Sequence, residues 1–126
     1  MEVMGVLIDS VILIDHFNGM VPATQFIRDV FDRSCLSVIT RAEVLVGYYR
    51  SPEEVQVRAL LDRFPLLSID GSAADLAARL RCERRWKLPD AFQAALAKLH
   101  GLKLATRNTK DFEPDRDGFV MVPYTV

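Results

Sequence analysis

Histidine and cysteine are scarce in this 126-residue chain: His16, His100, Cys35 and Cys82 are all there are, and none stands at a metal-ligand spacing. A zinc site built on imidazole or thiolate is therefore not expected. No apolar run approaches the roughly 20 residues that a membrane-spanning helix needs. Met1 and Glu2 offer no basic leader, and Asp9 and Asp15 interrupt the first apolar stretch. Neither a secretion signal nor a membrane anchor is expected, and the chain reads as cytoplasmic with reduced thiols. An excess of one charge is missing too, since 16 Lys and Arg face 17 Asp and Glu for a formal net charge of −1. Without a basic coat, RNA or DNA can be held only by a local patch, or with a cation to offset the acids. No G-x-x-x-x-G-K-[ST] loop is present, which excludes P-loop nucleotide hydrolysis. No Ser/His/Asp or Cys/His set offers nucleophilic catalysis.

What the chain does have is a half-hydrophobic composition and a length that suits one domain over 1–126. The stretch Val6-Leu7-Ile8-Asp9-Ser10-Val11-Ile12-Leu13-Ile14-Asp15 organises the rest. Val6 to Ile8 has the continuous apolar character of a strand buried on both faces. Asp9 falls where that strand ends and a helix begins, and in open α/β sheets this edge is where sites are built. Capping of the helix by Asp9 or Ser10 is the structural alternative.

Strands and helices then alternate. Asn18-Gly19 marks a turn, and Ala23, Phe26, Ile27, Val30 and Phe31 recur at helical spacing. Cys35 to Ile39 reads as a strand, followed by Thr40-Arg41-Ala42-Glu43, which has the form of a capping box. Tyr48 and Tyr49 read as packing residues. Val57, Leu60, Leu61 and Phe64 form another stripe that Pro65 ends, and Leu66 to Ile69 a third strand. Asp70-Gly71 reads as a turn, with Ser72 as the cap of a helix burying Ala73, Leu76, Ala77 and Leu80. The far end of that helix carries Arg79, Arg81, Arg84, Arg85 and Lys87. Two readings of this cluster stand side by side: a solvated helix end matching the dipole, or a phosphate-contacting patch. Pro89 and Asp90 open the next helix, with Phe92, Ala95, Leu96 and Leu99 as its buried stripe and Gly101 as its C-cap. Leu102 to Thr106 and Phe119 to Val122 complete the strands, separated by the polar loop Arg107 to Phe112. The alternation predicts a mostly parallel sheet of about five strands with helices on both faces.

Parallel connections gather strand C-termini at one edge. Asp9, Glu43 and Asp90 stand after strands or at helix starts, and Asp111 with Asn108 lies in the last loop. Each acid alone has a capping or turn explanation. Together at one edge they repel and raise one another's pKa values, and a divalent cation relieves that penalty. Oxygen ligands of this kind suit Mg²⁺ or Mn²⁺. Such a centre activates a water for phosphoryl chemistry.

At this level the chain resembles the PIN-domain family, and within it the VapC-type ribonuclease toxins of VapBC type II toxin–antitoxin systems. The matching pieces are 7–15, 37–49, the turn near 66–70 and, most specifically, 88–112. The resemblance implies a three-layer α/β/α sandwich and an acidic cluster that binds Mg²⁺ or Mn²⁺ to cleave RNA. It implies Asp9, Glu43 and Asp90 as the first three acids. The fourth falls at Asn108, where many relatives carry an acid, or at Asp111. Ser10 and Thr106 are supporting hydroxyls, and Val11 replaces a polar residue common in the family. Arg41, Arg84, Arg85, Arg107 and Lys110 are candidate RNA contacts. A VapB-type antitoxin and self-association into a homodimer are the implied partners. The competing expectation is a non-catalytic RNA- or protein-binding module of the same fold, favoured by Asn108.

Overall fold

The computed structural model describes residues 5–126. Met1 and Glu2, read above for the lack of a basic leader, lie outside the described residues. The strands are β1 (Val6–Ile8), β2 (Ser34–Ser37), β3 (Leu66–Leu67), β4 (Lys103–Ala105) and β5 (Val120–Met121). Around them run helices α1 (Ser10–Phe17), α2 (Val21–Val30), α3 (Val38–Gly47), α4 (Glu54–Leu61), α5 (Gly71–Arg84) and α6 (Leu88–His100). All the strand pairs are parallel, in the order β3-β2-β1-β4-β5. The expected α/β/α sandwich is thus the observed one, with a sheet that is wholly rather than mostly parallel.

β1 lies at the centre of this sheet, and its side chains explain the two cores. Val6 and Ile8 point into a cluster with Ile12, Leu13, Ile27, Val44 and Leu61, from the side covered by α1 to α4. Leu7 points the other way, among Ala77, Ala94, Leu96, Leu104 and Phe112, on the side of α5 and α6. A strand buried on both faces has no room for a polar alternate, which is why its three residues read as an unbroken apolar run. Among the described residues no helix is long and apolar enough to cross a membrane.

Several boundaries differ from the sequence reading. The capping box does not start at Thr40. Ser37 is the N-cap of α3, its hydroxyl accepting from the Thr40 amide at 3.0 Å. The strand therefore stops at Ser37 rather than Ile39, and Glu43 lies inside the helix, free of any capping duty. Likewise Asp70, not Ser72, caps α5, its carboxylate accepting from the Ala73 amide at 2.9 Å. In both cases two nearby polar residues could cap, and the helix starts at the earlier one. On α6 the buried residues are Ala91, Gln93, Ala94, Ala95, Leu96 and Ala97, whereas the expected Leu99 is 48% exposed. Ala95 and Leu96 are buried as expected and Phe92 partly so, while Ala91, Gln93, Ala94 and Ala97 rather than Leu99 complete the buried face. Small side chains let the helix approach closely. Gly101 ends α6 in the left-handed conformation expected of a glycine C-cap, at φ 63°.

Candidate functional site

Because every strand runs the same way, the residues that follow β1, β2 and β4 meet at one edge. Asp9 caps α1 there, its Oδ1 accepting from the Ser10 amide at 2.9 Å. The Asp9 backbone amide donates to Ala105 of β4 at 2.9 Å, which pins the residue to the neighbouring strand. Thr106 donates its hydroxyl to Asp9 Oδ2 at 2.7 Å. Continuing the alternation of β1 puts Asp9 on the α6 side, and Gln93 of α6 donates to its Oδ1 at 3.2 Å.

The cleft at this edge, about 370 Å³, is lined by Asp9, Ser10, Val11, Glu43, Asp90, Arg107, Asn108, Thr109 and Lys110. Glu43 reaches it from α3, Asp90 from the first turn of α6. The Ser10 hydroxyl donates to Glu43 Oε1 at 3.0 Å and so ties α1 to α3. Asp90 is pushed up to about 6, first by burial and then by the fields of Asp9, Asp111 and Glu43, with Lys87 opposing. Glu43 is also raised, by loss of water around its carboxyl and by Asp9, against the hydrogen bond from Ser10. Burial is the larger cause of both shifts, and the neighbouring acids add to it. Among the described residues no three His, Cys, Asp or Glu side chains close into a ready-made cage; the acids line an open cleft instead.

Asn108, not Asp111, lines the cleft. The Asn108 amide donates to Asp111 Oδ2 at 3.2 Å, and Asn108 Oδ1 accepts from the Asp111 backbone amide at 3.3 Å. Asp111 therefore acts on Asp90 through its field and holds Asn108 in place. The loop itself is anchored by Trp86, whose indole donates to the Asp111 carbonyl at 3.0 Å and packs edge-on against Phe112.

The candidate RNA-contacting cations fall into different places. Arg107 lines the cleft but makes two bonds to the buried Asp15, at 2.6 and 2.9 Å. Tyr124 donates to the same carboxylate at 2.8 Å. Arg84 pairs with the buried Asp117 and lies over the Trp86 ring at 4.5 Å. Arg41 pairs with Asp62 at 2.9 Å. Arg85 ends α5 in the left-handed conformation and is exposed, and Lys110 is exposed at the cleft. The 79–87 cluster is thus partly spent on holding its own chain together.

Sequence reading gave Gln93 no role and took Thr40 as a helix cap alone. Gln93 is 1% exposed and Thr40 fully buried. The one mark of Gln93 in the sequence is a lone amide, one turn beyond Asp90, among alanines and apolar residues of α6.

A five-stranded parallel α/β/α domain with an acidic cleft at its strand ends is the class that fold and site define. The PIN-domain profile matches residues 6–113, and the chain belongs to the PIN-domain family. It is similar over 97% of its length, at 38% identity and a TM-score of 0.89, to the whole of a chain from a Klebsiella pneumoniae toxin–antitoxin complex. FitAcB of Neisseria gonorrhoeae shares the fold at 22% identity and a TM-score of 0.77, covering 96% of this chain and 99% of the other. DNA-bound VapBC of Salmonella typhimurium does so at 22% identity and a TM-score of 0.72, covering 87% and 91%. No curated protein matches the sequence significantly.

Proposed function

We propose that this protein is the toxin of a VapBC-type toxin–antitoxin pair and acts as a Mg²⁺- or Mn²⁺-dependent endoribonuclease. The observation that carries the reading is the meeting of Asp9, Glu43 and Asp90, from three separate elements, at one open cleft. The donor set fits a hard divalent cation. Every candidate ligand in the cleft is an oxygen from a carboxylate, hydroxyl or amide, and burial, with the neighbouring acids adding to it, raises Asp90 and Glu43 there. An open cleft leaves room for the several waters that Mg²⁺ retains.

Asp9 and Asp90 would be the principal ligands, with Glu43 completing the set or orienting the attacking water. Asn108 would contribute its amide oxygen or hold a water, with Asp111 behind it. When bound, the cation supplies an activated water and neutralises charge on the scissile phosphate. The chain's own part is to hold the acids apart and fixed, through Ser10, Thr106 and the anchored 107–112 loop. Lys110 and Arg107 bring positive charge to the rim for RNA phosphates. A tRNA or another structured RNA with exposed loops is the substrate class we favour, because unpaired segments are the easiest to bring in line.

Val46 on α3, Tyr49 in the turn that follows it and Val55 on α4 are more than 70% exposed, with Tyr49 turned outward rather than into a core. Such a patch suits a VapB-type antitoxin or a second copy in a homodimer. The reading is that of a cytoplasmic protein. A second reading, a non-catalytic RNA- or protein-binding module, is favoured by one observation: Asn108 lines the cleft where relatives place an acid. The two separate in one assay. The purified protein should cleave RNA with Mg²⁺ or Mn²⁺, lose activity in EDTA, and lose it by at least about 100-fold as Asp9→Asn. Metal-bound but inactive protein would favour the module.

A further inference from the structure

The Gln93 side chain is buried inside the protein between the three elements that carry the acids. An amide in that position is costly unless every polar atom is satisfied. Here each one is. Gln93 Oε1 accepts from the Ser37 hydroxyl at 2.6 Å, and Nε2 donates to Thr40 Oγ1 at 2.7 Å and to Asp9 Oδ1 at 3.2 Å.

The carboxylate sets the sense of the network. Ser37 Oγ accepts from the Thr40 amide and has two acceptors for its one proton, Gln93 Oε1 at 2.6 Å and Thr40 Oγ1 at 3.4 Å, of which Gln93 is the nearer. Thr40 Oγ1 donates to the Ile8 carbonyl at 3.1 Å, so it can only accept from Gln93. An ionised Asp9 can only accept. The amide therefore cannot flip without setting its oxygen against a carboxylate. The relay ties the end of β2 and the start of α3 to the end of β1 through α6.

The consequence falls on Asp9. Its Oδ1 accepts from the Ser10 amide and from Gln93, and so has no acceptor site left. Its Oδ2 accepts from Thr106 alone and keeps one. We propose that Gln93 is a positioning residue for the acidic centre: through its donation to Oδ1 it commits the Asp9 carboxylate to one orientation, in which Oδ2 alone is open to a divalent cation. This rests on the metal-dependent reading above and adds a residue to it. Hydrogen-bond partners of metal-ligating side chains commonly change metal affinity by about 10–100-fold when removed.

Two measurements test it. In the first, Gln93→Met keeps the length of the side chain and removes its donors. Mn²⁺ affinity is measured by titration calorimetry alongside cleavage kinetics. The expected result is binding about 10-fold or more weaker, with kcat reduced more than KM for RNA. Ile27→Ala is the control, since it opens the core in α2, an element that contributes nothing to the cleft. It should lower thermal stability and leave Mn²⁺ binding unchanged. In the second, the wild-type protein is followed by nitrogen–proton NMR, so that no variant needs to fold. Gln93 is one of three glutamines, with Gln25 and Gln56. Its side-chain NH₂ pair should exchange slowly with solvent and shift on saturation with Mg²⁺. Wild-type Mn²⁺ affinity in Gln93→Met, or an amide pair that exchanges fast or does not respond to Mg²⁺, overturns the positioning role and leaves the nuclease reading intact. A wild-type protein that binds no Mn²⁺ overturns both.

Discussion

Asp90 serves opposite interests at once. As the proposed metal ligand it should be charged, yet burial and its acidic neighbours hold its pKa at about 6. Between the ordinary value of 3.8 and about 6 the folded protein keeps a proton that the unfolded chain has lost. The metal-free protein should therefore lose stability as pH rises through that window and carry the full penalty above it. Asp90→Asn removes the penalty. In thermal melts with EDTA it should gain about 1–2 kcal/mol at pH 7.5, after allowance for solvent screening of a half-exposed group, and gain nothing at pH 4. The same variant should abolish RNA cleavage. An unchanged melting temperature at pH 7.5 would mean that the acids do not strain the fold. The residue types of this site were legible in the sequence because several acids recur after strands or at helix starts, where a parallel sheet gathers them at one edge. Gln93 was not, because a single amide among alanines gives no charge pattern, and its value lies in partners 53 to 84 positions away.

Helix starts were legible to within a few residues, and their exact caps were not. Thr40 and Glu43 satisfy the capping-box pattern, yet pairing of Leu36 and Ser37 with β3 ends the strand earlier and hands the cap to Ser37. Tertiary pairing overrode a correct local rule, and it freed Glu43 for the cleft. The C-terminal segment shows a similar long-range tie. Tyr124 reaches back to Asp15 of α1, beside Arg107. Arg107 first of all, with Tyr124 assisting, holds Asp15 below the usual carboxylate range against the effect of burial. That stability is present above the ordinary pKa of about 4 and is lost as pH falls through the lowered value. Tyr124→Phe removes one of three donors and leaves Arg107 in place. The expected cost is about 1–2 kcal/mol at pH 7, read as a lower urea midpoint, and it should shrink in acid as Asp15 protonates. A cost that is the same at both pH values would assign the loss to packing rather than to the carboxylate.

At the scale of the molecule, the two cores share one sheet. α1 to α4 cover one face, α5 and α6 the other, and β1 contributes side chains to both. Neither layer can be removed without exposing β1, so 1–126 should unfold as one unit. Trp86, the only tryptophan, packs in the α5–α6 layer near the 107–112 loop. Its fluorescence should change at the same urea concentration as far-ultraviolet circular dichroism, which reports helices from both layers. Two separated midpoints would divide the chain into independent units. The parallel order was legible from the alternation of elements, whereas the position of β1 at the centre was not, because strand order depends on which edges later helices cover.

The central place of β1 also sets when the acidic cleft can exist during synthesis. Asp9 leaves the ribosome early, but Gln93 and Thr106, which fix its carboxylate, follow 84 and 97 residues later. A chain released before Gln93 leaves the Asp9 carboxylate with the Ser10 amide as its remaining side-chain partner. The hydrogen-bonded geometry of the cleft is therefore complete only when translation is nearly so.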